Sequence, residues 1–166
     1  MTEYTRPATW EDLKRIARYL EDTGAEYALV GGYALAVHGF NRFTEDIDLL
    51  VEPSAVNSRR WIAALERLPD HAAAELRANP DVFASDRRHA VRINDELSID
   101  VMPSVAGLGW QDLRPHIQTV TVDGQAIQLL DLAGLLKTKH GMRPKDQADA
   151  AVIAAALRQM EEHGSG

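Results

Sequence analysis

The sequence predicts a mixed β-sheet flanked by helices, α/β or α+β in class, finished by a C-terminal helical segment. Three observations carry this. Apolar residues recur at helical spacing near both ends of the chain. Short apolar runs bounded by turn residues fill the middle. Asp123-Gly124 parts two such runs, and this pair suits the positive φ angles of a type I′ hairpin turn. The 166 residues suit a single domain, 1–166, with its core at about 25–130 and C-terminal helices at 131–163.

Each element has a local reason. Thr9 followed by Asp12 is an acidic variant of the capping box, and Leu13, Ile16, Ala17 and Leu20 then mark one face of a first helix that Gly24 closes. "EYALV" is a short strand, which Gly31-Gly32 turns into a second helix, "YALAVHG". "DIDLLV" is a strand, and Pro53-Ser54 start a third helix carrying Trp61, Ile62, Leu65 and Leu68. "DVFAS", "HAVRI" and "LSIDVM" read as strands, with "NDE" as the tight turn between the last two. "IQTVTVDGQAIQLL" is the hairpin. "DLAGLLKTKH" and "PKDQADAAVIAAALRQMEEH" end the chain as helices, the second with Pro144 in its first turn.

Composition narrows the function classes. Zero cysteines excludes a disulfide scaffold, cysteine zinc sites and thiol catalysis. The N-terminal stretch lacks the apolar core of a secretory signal, and the longest apolar run, Ala150 to Leu157, is far too short to span a membrane. The expected location is the cytoplasm, with no membrane partner. A net charge of −7 argues against non-specific coating of nucleic acid. It leaves room for a local basic patch, and "KTKHGMRPKD" gathers Lys137, Lys139, Arg143 and Lys145. That patch is either a solvated helix end or a phosphate-facing surface.

The segment "DIDLLV" poses the chemical question. Residues i and i+2 of a strand share a face, so Asp46 and Asp48 project together while Ile47, Leu49 and Val51 line the other side. Two close carboxylates repel each other and lose solvation, and a divalent cation between them removes both penalties. Oxygen ligands of this kind suit Mg²⁺. The alternative is a wet strand face with both aspartates solvated. "SIDVMP" repeats the phasing with Asp100, so pairing of the two strands would gather three carboxylates, a set able to hold two metal ions for phosphoryl or nucleotidyl transfer. Gly31-Gly32, ending a strand and opening a helix, would let backbone approach phosphate; taken alone the pair reads more readily as a plain turn, and the acidic strand that follows reinforces the phosphate reading.

Taken together, "GGYALAVHGFNRFTEDIDLLV" resembles the minimal nucleotidyltransferase superfamily that shares the polymerase-β palm. Arg42, Thr44, Asp46, Ile47 and Asp48 are similar to the R-x-[ST]-x-D-I-D form of its abortive-infection and toxin–antitoxin branch. The late Arg143, Lys145, Asp146 and Asp149 look like that branch's closing motif. The resemblance implies a nucleotidyltransferase fold, two Mg²⁺ (or Mn²⁺) ions, and a nucleoside triphosphate (NTP) substrate. It implies that Gly31 and Gly32 hold the triphosphate, with Arg42, Thr44, Lys137, Arg143, Lys145 and Asp146 on the nucleotide side. Asp46, Asp48 and Asp100 would be the catalytic metal ligands, Asp100 also serving as base for the acceptor. Two departures stand out: Gly32 occupies a position where many relatives carry Ser, and the Arg-Asp that follows Gly-Gly in CCA-adding enzymes is absent.

The expected activity is transfer of a nucleoside monophosphate from an NTP to an acceptor hydroxyl on RNA such as tRNA, on protein, or on a small molecule. A place in a toxin–antitoxin pair with a cognate partner goes with that reading. The alternative is a weakly catalytic or non-catalytic partner protein on the same fold. His38 and His140 are further candidates for the site, and Tyr33, Trp61 and Trp110 for base stacking, with burial in the core the competing fate of all three aromatics.

Overall fold

The computed structural model describes residues 5–40, 45–83, 89–139 and 144–164, with side chains of the last segment described for 147–162. In chain order the elements are α1 (Trp10–Thr23), β1 (Tyr27–Val30), α2 (Gly31–Val37), β2 (Ile47–Val51), α3 (Ala55–Leu65), β3 (Val91–Asn94), β4 (Ser98–Met102), β5 (Ser104–Val105), β6 (Leu108–Gly109), α4 (Trp110–Leu113), β7 (Ile117–Val122), β8 (Gln125–Leu130), α5 (Leu132–Lys137) and α6 (Pro144–Gly164).

Six strands form one mixed sheet in the order β3-β4-β2-β1-β8-β7. β2 lies antiparallel to β1 and parallel to β4, and β1 is parallel to β8. α1 packs on α3 and β8, whereas α2 packs on β1, β2 and α5, and α5 carries α6. The core runs through the sheet: Ile47, Leu50, Val51, Ile99, Val101, Ile127, Leu129 and Leu130 are fully buried.

The caps behave as the sequence reads. The Thr9 amide donates to Asp12 Oδ2 at 2.8 Å and the Asp12 amide to Thr9 Oγ1 at 3.3 Å, while Gly24 ends α1 in the left-handed region at φ 71°. Asp12 is buried, and burial alone would raise its pKa. Hydrogen bonds from Arg6 and Thr9 outweigh that and hold it low. Arg6 also reaches Glu96 in the β3–β4 turn, so one guanidinium ties the N-terminal segment to the sheet. The β7–β8 turn takes φ 50° at Asp123 and 82° at Gly124, both positive as a type I′ turn requires.

Several local expectations need correction. Residues 81–83 of "DVFAS" form a turn rather than a strand, with Phe83 buried against Trp61; Ala84 and Ser85 lie outside the described residues. Residues Ala72–Ala78 form a 3₁₀ helix that the alanine-rich sequence did not advertise. Its start is held by buried Asp95, which accepts the amides of Asp70 at 3.0 Å and Ala72 at 2.9 Å. α3 stops at Leu65, and Leu68 is buried from the turn beyond it. Asp46 sits one residue ahead of β2 rather than in it.

One side chain sets the alignment of β1 with β2. Asn57, in the first turn of α3 and 2% exposed, accepts the Glu26 amide at 2.7 Å. Its amide group donates to the carbonyls of Glu26 at 3.0 Å and Glu52 at 2.8 Å. Glu26 precedes β1 and Glu52 follows β2, so Asn57 ties together the ends of the two strands. Replacing Asn57 by Ala removes the side-chain partner of the Glu26 amide and the Glu52 carbonyl, while the Glu26 carbonyl keeps the Glu52 amide at 3.2 Å, and should cost about 2 kcal/mol in chemical denaturation. A loss under about 0.5 kcal/mol would mean that the ladder holds its alignment without the clamp.

Candidate active site

The acidic site is a product of strand register. β2 and β4 align Ile47 with Ile99, Asp48 with Asp100, and Leu49 with Val101. A slip by one residue would set a carboxylate against isoleucine and turn the slipped strand's apolar set out of the core, so the hydrophobic pattern locks the two aspartates side by side. On its other flank Asp48 pairs with Val30, the last residue of β1.

Gly31 follows at once, at φ 73°. A Cβ there would lie 2.3 Å from Asp48 Oδ2. Gly31 therefore has two independent reasons to be glycine: the positive φ, and the carboxylate pressed against its Cα. α2 starts from Val30 with no side-chain cap, so its first amides are not spent on a neighbouring side chain.

Asp48 is the strained member of the group. Burial first, then the charges of Asp100 and Asp46 and a hydrogen bond with Asp100, push its pKa up to about 7. Arg92 offsets this only in part.

Arg92 was not singled out by sequence, yet it dominates the site. β3 sets it directly across from Asp100. Its Nε donates to Asp100 Oδ1 at 2.9 Å, and Nη2 donates to Asp100 Oδ2 at 3.0 Å and to Asp46 Oδ2 at 3.1 Å. With "NDE" as the turn, counting outward would pair Arg92 with Ser98; the chain instead turns at residues 95–97, with Asn94 in β3 opposite Ser98, and this shifted register brings Arg92 to Asp100. An arginine in a strand is ordinary until its partner is an aspartate of this group.

Among the described residues, no three acidic or histidine side chains already form a metal cage. Arg92 Nη2 lies within hydrogen-bond distance of Asp46 Oδ2 and Asp100 Oδ2, two of the oxygens that an ion would draw together. The donor set itself fits a hard divalent cation: three carboxylates, all oxygen, one of them desolvated beside the other two. Asp46, Asp48 and Asp100 are the residues that could hold it.

The remaining predicted positions divide. Gly32 lies in the first turn of α2 beside Gly31. Arg42, Thr44, Arg143 and His140 lie outside the described residues, as do the side chains of Lys145 and Asp146. Lys137 is exposed in the last turn of α5. Lys139 reaches buried Asp149 at 3.3 Å, so this part of the closing motif joins α6 to the end of α5. His38 Nε2 meets the Leu130 carbonyl at 2.9 Å. Tyr33, Trp61 and Trp110 are core residues; the Tyr33 hydroxyl donates to the Ala8 carbonyl and its ring meets Trp10 edge-on.

The raised pKa of Asp48 has a definite sign in stability. Between pH about 4 and about 7 the folded chain holds a proton that the unfolded chain has released, so stability falls as pH rises through that window and levels off above it. Asp48→Asn should remove this slope. The variant should match wild type near pH 4 and exceed it at pH 8 by at most about 4 kcal/mol, read from denaturation at each pH. A variant less stable than wild type at pH 8 would show that the Asp48 carboxylate is not under repulsion.

Comparison with known proteins bears on the family and the fold. A sequence model of the family described as nucleotidyl transferase AbiEii toxin, type IV toxin–antitoxin system, matches residues 16–118. No curated protein matches the chain. Among solved structures, a protein of Thermotoga maritima named as a candidate nucleotidyltransferase superposes with a TM-score of 0.57 at 15% identity, covering 92% of this chain and 91% of its own. An antigenic nucleotidyltransferase-like protein from Paracoccidioides brasiliensis gives 0.48 at 19% identity, covering 89% and 77%. The Thermotoga likeness speaks for the fold, a nucleotidyltransferase fold built on a six-stranded mixed sheet. The family match spans more than half of the sequence, and the chain belongs to the AbiEii family of nucleotidyltransferase toxins.

Proposed function

We propose that this protein is a metal-dependent nucleotidyltransferase that moves a nucleoside monophosphate from an NTP to an acceptor hydroxyl, acting as the toxin of a pair with a cognate antitoxin. One observation carries the reading: Asp48 and Asp100 are locked side by side beneath the Gly31 turn, at a cost in repulsion that a simple binding module has no reason to keep.

In this reading the Gly31-Gly32 backbone receives the triphosphate at the start of α2, where no side chain blocks close approach. Asp46, Asp48 and Asp100 hold Mg²⁺ or Mn²⁺, which when bound supplies charge neutralisation at the phosphates and a more acidic acceptor hydroxyl. Asp100 takes the proton of that hydroxyl as its oxygen attacks the α-phosphorus. The bond from the α-phosphorus to the bridging oxygen breaks, and pyrophosphate leaves with the electron pair. Lys137, exposed at the end of α5, is the described cation from the basic patch available to the phosphates.

A second reading is a nucleotidyltransferase-fold partner protein without transfer activity. Arg92 favours it, because a carboxylate group retired from metal binding would keep a guanidinium as its counter-ion. The two readings part on activity. Incubation with each labelled NTP, Mg²⁺ and cell extract should label one acceptor fraction (RNA, protein or small molecule), and Asp48→Asn or Asp100→Asn should reduce the label roughly 100-fold or more while both variants remain folded. Absence of label with every NTP, or full labelling by both Asn variants, would give the site to the second reading.

A further inference from the structure

We propose that Arg92 is an internal counter-cation that competes with the divalent ion for Asp46 and Asp100, so that loading this site is an exchange of guanidinium for metal. The inference rests on the metal-dependent reading above and concerns a residue that reading does not use. Three facts support it. Arg92 makes all three of its hydrogen bonds in the site to the oxygens of Asp100 and Asp46, two of the three carboxylates that would hold the ion. A single nitrogen, Nη2, touches both Asp100 Oδ2 at 3.0 Å and Asp46 Oδ2 at 3.1 Å, so the guanidinium lies against the two oxygens that an ion would bridge. The Arg92 side chain is 54% exposed, against 18% for Asp100, so it can leave towards solvent while the aspartate stays.

The setting in the sheet allows this exchange. Arg92 belongs to β3, the end strand of the sheet order, and its neighbours Val91 and Ile93 hold the backbone through the pairing with β4. Departure of the side chain requires rotation about its own bonds and leaves the β3–β4 ladder intact. Before exchange, the guanidinium relieves repulsion between Asp46 and Asp100 and keeps both carboxylates aimed into the site. After exchange, the metal does the same. The protein thus avoids an uncompensated acidic cluster in either state. Arg92 is a positioning residue in this sense, and it sets the metal concentration at which the site fills.

The test is metal binding without nucleotide. Mn²⁺ titration by calorimetry should show Arg92→Ala binding roughly tenfold tighter than wild type, because the metal no longer displaces a charged hydrogen-bonded partner. Arg92→Lys, which keeps the charge but loses the fork, should fall between them, and it carries the same test if the alanine variant does not fold. In wild type, saturating Mg²⁺ should also move the Arg92 Nε–H resonance to the position and fast exchange of a solvated arginine. Equal or weaker Mn²⁺ binding in folded Arg92→Ala, or an Nε–H resonance that stays put under Mg²⁺, would overturn the exchange while leaving the metal site standing. Absence of any metal response in both wild type and variant would overturn the metal-dependent reading and this inference together.

Discussion

The structure turns on the contact between the Gly31 Cα and the Asp48 carboxylate. Asp48 can lie there only because β1 ends one residue earlier and the chain turns through a positive φ with no side chain in the way. The same contact removes water from one side of Asp48 while Asp100 stands on the other. Every feature of the acidic site follows from that confinement: the raised pKa, the need for a counter-charge, and the nearness of the α2 start to the carboxylates. The scaffold does the confining. Fully buried Ile47, Leu49, Ile99 and Val101 hold β2 and β4 in register, so moving the aspartates apart would mean unpacking the core.

Much of this was legible in the residues. The capping box at Thr9, the Gly24 stop and the Asp123-Gly124 turn are local signals whose physics needs no tertiary context, and each takes the predicted form. Asp48 and Asp100 could be placed together because matching apolar phase in two strands allows few registers. What failed was non-local. "DVFAS" alternates like a strand, but its described part is a turn whose Phe83 fills space beside Trp61. The Ala72–Ala78 turn of helix depends on Asp95, more than twenty residues away in sequence. Asn57 and Arg92 escaped notice for the same reason: an Asn near a helix start and an Arg in a strand are commonplace, and only their partners make them matter.

The basic patch and the closing motif show how sequence motifs can mix roles. Asp149, read as part of a site motif, is 1% exposed and joined to Lys139, which ties the long last helix to the end of α5. Lys137, two residues earlier, points outward. Neighbouring lysines of one short stretch thus divide between holding the C-terminal helix and facing solvent. Lys137 lies in the last turn of α5 and Lys139 beyond its C-cap, Thr138, so the end of the helix separates the two roles.

Arg92 rides on a strand that pairs within the sheet with β4, at the end of the strand order. End strands open more readily than central ones, because one ladder of hydrogen bonds holds them where a central strand has two. The electrostatic state of the carboxylates is therefore linked to the fraying of β3. When Val91–Asn94 lifts from β4, the guanidinium leaves with it and the repulsion among the acids grows; when the acids are neutralised by another cation, β3 loses one of its anchors. Amide protection along β3 is thus a reporter of the charge state of a site whose acidic members all lie on other segments of the chain.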